Sequence, residues 1–65
     1  MFAMRFDIEI SDLVWDLERL RNGANVHRVN NILHQLKLIH LLDRLEQKRL
    51  IRQAKLLAIK IRGSR

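Results

Sequence analysis

The sequence contains no cysteine, no proline, no threonine and no tyrosine, only two glycines, and three aromatic residues, Phe2, Phe6 and Trp15. Without cysteine there is neither a disulfide staple nor a thiolate metal site. Lacking proline, the chain has no residue that would forbid helix over a long stretch. No glycine-rich phosphate loop can be assembled from Gly23 and Gly63. Apolar runs such as Leu56-Leu57-Ala58-Ile59 and Leu13-Val14-Trp15 are no longer than four residues, against the roughly 18 that a membrane-spanning helix needs. The first residues lack a basic cluster followed by an apolar stretch, so a secretory signal is not expected. Asp7, Glu9 and Asp12 argue against an acid-poor transit peptide. A cytoplasmic location is the expectation.

What the chain does have is charge, unevenly placed. Residues 1–36 carry four arginines against five acids, a net charge of −1, whereas residues 37–65 carry nine Lys and Arg against Asp43 and Glu46, a net charge of +7. A one-sided excess of this size attracts polyanions: nucleic acid, an acidic protein surface or anionic lipid. Enzymatic chemistry is not expected. The only serines, Ser11 and Ser64, have no histidine at a suggestive spacing, and so short a chain leaves little room for a water-excluding pocket.

Length sets the next constraint. Sixty-five residues make a single small domain (1–65), and burial at this size is marginal without a further support. With disulfides and metal excluded, self-association is the expected one. The apolar fraction of 48% suffices for a shared core, and two-fold dimers are the commonest closed assemblies. The fold class expected is therefore mainly α, a small helical homo-oligomer with two or three helices per chain and the option of a short N-terminal strand paired across a dimer.

The clear break is Arg21-Asn22-Gly23-Ala24-Asn25. Glycine takes the left-handed conformation that ends helices, and Asn25 is suited to cap the next one, which predicts a turn at 22–25. Before it, residues 2–10 admit two readings. Phe2, Met4, Phe6, Ile8 and Ile10 alternate with more polar residues, the period of a half-buried strand, and Ser11 would then cap a helix over 12–22. Alternatively Phe6, Ile10, Leu13, Val14, Leu17 and Leu20 form one helical stripe. The alternation and the Ser11 cap favour the strand. After the turn, Val26, Val29, Ile32, Leu33, Leu36 and Ile39 share a helical face over 26–42. Leu50, Ala54, Leu57 and Ile61 give a second stripe over 43–62. Either one helix runs over 26–62 or two helices meet near 43; Asp43 followed by Glu46 has the character of a capping box and favours two, leaving 63–65 as a tail. Phe6, Leu13, Leu17, Leu20, Val29, Leu33, Leu36 and Leu57 are the expected shared core. Phe6, Leu13, Leu17, Leu20, Leu33 and Leu36, with Trp15 beside them, are the expected protein interface.

A short alternating strand, a helix of about three turns, a Gly-x-Asn turn and a second amphipathic helix resemble the ribbon–helix–helix family of dimeric DNA-binding proteins. The resemblance covers Met4–Ile10, Asp12–Asn22, Gly23-Ala24-Asn25 and Val26–Leu42. It implies a regulator of transcription or replication whose paired strands enter the major groove, presenting Arg5, Asp7 and Glu9. Two carboxylates facing phosphates depart from that mode.

Independently of any family, Arg44, Lys48, Arg52, Lys55 and Arg62 fall within about one quarter of a helix circumference. Such a ridge suits phosphates, and these five are the expected nucleic-acid contacts. The rival expectation is a protein-binding module or inhibitor docking the same helix on an acidic partner, for which Leu45, Leu56 and Ile59 supply apolar contacts. A membrane surface ranks behind both. His27, His34 and His40 lack the three- or four-residue spacing of helical metal ligands. No metal and no cofactor are expected.

Overall fold

The computed structural model describes residues 4–63, with side chains described from Ile8 onward. Three helices follow in order: α1 (Met4–Leu20), α2 (Val26–Lys37) and α3 (Arg44–Gly63), with a single 3₁₀ turn (Ile39–Leu41) between the last two. Each helix packs against both others, in a body of 37 × 19 × 15 Å. The mainly helical class holds.

The alternation at the N-terminus does not produce a strand over 4–10. Those residues are the first turns of α1, and no strand occurs among the described residues; Phe2 and Ala3 lie outside them. The stripe wins for a physical reason. Ile10, Leu13, Val14 and Leu17 recur at helical spacing and bury or half-bury against the core. A strand would leave its backbone donors and acceptors unpaired until a second strand arrived, whereas a helix satisfies its own. Ser11, expected as a cap, lies within α1 and is exposed.

The turn falls where the sequence puts it, by a different mechanism. Gly23 does not adopt a positive φ, so no left-handed cap forms. Asparagine side chains close the corner instead. The Asn25 Oδ1 accepts from the Asn22 backbone N–H at 2.8 Å, the Asn22 Oδ1 accepts from the Ala24 N–H at 3.0 Å, and the Asn25 amide donates to the Leu20 carbonyl at 3.3 Å. Asn25 begins α2 through its carbonyl, which accepts from the Val29 N–H, but its side chain points back toward α1 and does not cap forward.

The second junction keeps the expected cap. The Asp43 carboxylate accepts from the Glu46 backbone N–H at 2.9 Å, and α3 starts at the next residue, Arg44. The helix expected to run to 42 ends at Lys37 and gives way to the 3₁₀ turn. Gln47, one turn into α3, donates from Nε2 to the carbonyls of Ile39 (3.0 Å) and Leu42 (3.1 Å), fastening this turn to the helix.

The core is built from Leu13 and Leu17 of α1, Val29, Leu33 and Leu36 of α2, Ile39, and Leu50, Ile51, Ala54, Leu57 and Ala58 of α3. Leu17, Val29, Leu36 and Ile39 are fully buried. Thus Leu13, Leu17, Leu33 and Leu36, expected at an interface between chains, lie inside one chain. Leu20 is half-buried at the edge of the core, and Phe6 lies outside the described side chains. The ordering reflects stripe geometry: α1 and α2 each offer one apolar face, and the small Ala54 and Ala58 let α3 approach both closely.

Candidate phosphate-binding face

Two ion pairs along the seam between α1 and α3 mark the register of the two helices. The Lys55 ammonium meets the Glu9 carboxylate at 2.7 Å, and Arg62 pairs with Asp16. Both partners advance by seven residues, two helical turns, in the same direction. Therefore α1 and α3 run parallel with α2 returning between their ends, and each α1 position is level with the α3 position 46 residues later. All four side chains remain partly in water, so these pairs set register more than they add stability.

The five expected phosphate contacts do not form one continuous ridge of equal standing. Arg44, Lys48, Arg52 and Lys55 line a single groove on the α1–α3 side, together with Glu9, Gln47, Ile51 and Leu56. Arg62 lies farther on, in a different groove beside Leu57, Lys60 and the 22–28 corner. Lys55 and Arg62 are already matched by α1 carboxylates. Arg44, Lys48 and Arg52 are exposed, as is Arg49 on the flank, and no ion pair engages any of these four among the described residues. Arg44, Lys48 and Arg52 succeed one another at four-residue steps, about 6 Å apart along the helix. The cationic face is thereby concentrated in the first half of α3, next to its N-terminal corner.

Sequence reasoning missed this division because Glu9 and Asp16 lie far from their partners in the chain. Their positions on α1 become informative only once the helix register is known. It also missed the second basic cluster, where Arg19, Arg28, Lys60 and Arg62 line one concavity with His27. Arg62 there is tied to Asp16, and the Arg19 guanidinium stacks over the Trp15 ring at 4.6 Å.

Trp15 is 60% exposed. His27, His34 and His40 are exposed. The outer surface of α2, with Asn30, Asn31, His34 and Lys37, is polar and solvated. Among the described residues, no helix is long and apolar enough to cross a membrane. Comparison with protein-family models, curated proteins and solved structures finds no match to this chain.

Proposed function

We propose that the chain is a small, basic nucleic-acid-binding protein acting as a dimer, and that the first half of α3 contacts phosphates with little reading of bases. One observation carries the proposal: Arg44, Lys48, Arg49 and Arg52 are exposed on adjoining turns and no acid among the described residues pairs with them. Cations held this way displace condensed counterions when they meet a phosphate backbone, the sequence-independent part of nucleic-acid affinity. Arginine adds forked hydrogen bonds that lysine cannot make. Lys55 and Arg62 contribute less, because releasing them breaks their pairs with Glu9 and Asp16. The ribbon–helix–helix mode needs a strand where α1 begins, so this proposal does not draw on it.

The test is the salt dependence of binding to duplexes of unrelated sequence. Replacing Lys48 and Arg49 together by glutamine should weaken binding equally on all of them and flatten the log–log slope by about 2, at about 0.9 per lost contact. Unchanged binding by a folded double variant would remove α3 as the contact surface.

A second reading, docking on an acidic protein, is favoured by one specific feature. Leu41 and Leu45 are 80% and 60% exposed beside Arg44, a mixed apolar and basic corner. A partner protein captured in the presence of nuclease and moderate salt would support it over nucleic acid.

A further inference from the structure

Beyond the cationic corner, the α1–α3 side of the bundle carries exposed apolar side chains on both helices, Trp15 with the Arg19 guanidinium over its ring. Ile8 (57% exposed) and Trp15 (60%) stand on α1, and Leu56 (57%) and Ile59 (63%) stand on α3. They flank one ion pair: Ile8 and Trp15 line a groove with Lys55, while Leu56 lines the adjoining groove that holds Lys55 and Glu9. Ile59 follows Leu56 by three residues and Lys55 by four, on the same side of α3. In contrast, the outer face of α2 is polar.

The two helices that carry this surface have opposite charge. Helix α1 carries Arg5 and Arg19 against Asp7, Glu9, Asp12, Asp16 and Glu18, net −3, whereas α3 carries seven Lys and Arg against Glu46, net +6. A face that is acidic on one helix and basic on its parallel neighbour is complementary to itself. A two-fold axis parallel to the helices lays α1 of one copy over α3 of the other, and the reverse, in a closed isologous contact. An axis perpendicular to the helices would set like on like. The register adds shape to charge. The 46-residue offset makes Ile8 level with Ala54 and Trp15 level with Ile61. Leu56 and Ile59 thus stand at heights between the partner's Ile8 and the partner's Trp15, as knobs between two neighbours.

We infer that this α1–α3 face is the dimer interface, and that its occupant is a second copy of the chain. An anionic lipid surface fits less well, because α1 would bring its net negative charge against it. The parallel two-fold leaves Arg44, Lys48 and Arg49 of both copies at one end of the dimer, beyond the level of the first described turn of α1, while Arg52, level with that turn, stands at the rim of the contact. The inference deepens the dimer named in the proposed function; it does not depend on phosphate binding.

Sedimentation without nucleic acid tests it. At micromolar concentration the wild-type chain should run at twice its mass of 7.8 kDa. Trp15, the sole tryptophan, should shift its fluorescence to shorter wavelength as concentration rises, a readout that needs no variant. Trp15→Lys and Ile59→Glu, each placing a like charge opposite the partner helix, should each weaken dimerisation at least about tenfold. The two combined should recover part of the loss, because the introduced charges would then face one another. A wild-type chain that stays monomeric, or single variants that are folded and dimerise as well as wild type, would overturn the inference. An intact dimer that fails to bind duplexes would fault the phosphate reading alone.

Discussion

Gln47 holds the corner that sends α3 back along the bundle, and its removal gives a graded test of the packing described above. Gln47→Met keeps the length of the side chain and its helix preference, but deletes the donor shared by the Ile39 and Leu42 carbonyls. The Ile39 carbonyl retains the Leu42 N–H at 3.1 Å, so one of the two bonds is partly compensated. With a net contribution of about 1 kcal/mol per hydrogen bond, the loss should be about 1–2 kcal/mol. A chain of 65 residues unfolds with an entropy of about 0.14 kcal/mol/K, so the midpoint should fall by about 7–15 °C. Gln47→Glu, equal in shape, should cost at least as much, because it turns an acceptor toward two carbonyls. Thermal melts followed by far-UV circular dichroism at one fixed protein concentration measure both, since self-association makes the midpoint concentration-dependent. If both variants stay within about 0.5 kcal/mol of wild type, the range of an ordinary surface substitution, the corner is not held as described.

Two further outcomes follow from the same geometry. Asp43→Ala should lower stability by about 1 kcal/mol through loss of the cap on α3, while Asp43→Asn should retain most of it; chemical denaturation distinguishes them. Glu9→Gln should leave stability within about 0.5 kcal/mol and the salt dependence of duplex binding unchanged, because Lys55 lies on the α1–α3 face that the second copy covers.

Much of the architecture is legible in the residues themselves. The asparagine-rich corner, the Asp43 cap and the stripes of α2 and α3 are local patterns, and the chain turns at 22–25 and restarts after Asp43 as they say, although α2 stops at Lys37 rather than 42. Leu13, Leu17, Val29, Leu33, Leu36 and Leu57 are buried as their spacing implies. The start of α1 reads as a strand because Phe2 to Ile10 alternate with a period of 2; the helical stripe that prevails leaves Ile8 exposed and is completed by Leu13 and Leu17, farther along the chain. The role of Gln47 is invisible in sequence, since its partners are backbone carbonyls whose positions depend on a 3₁₀ turn. The candidate site was half legible: the cations stand out in α3, but Glu9 and Asp16 claim Lys55 and Arg62 only through a register between distant helices. The same register reveals a self-complementary face that composition alone cannot show.

The claim that α3 meets phosphates with its first turns is tested most directly by amide-resolved NMR during titration with a mixed-sequence duplex at low salt. The account predicts that the perturbed amides cluster from Arg44 to Arg52, that the polar face of α2 around Asn30 and His34 stays silent, and that the shifts reverse as salt is raised. Perturbations centred on the concavity of Arg19, Arg28 and Lys60, or no perturbation at low salt, would contradict it.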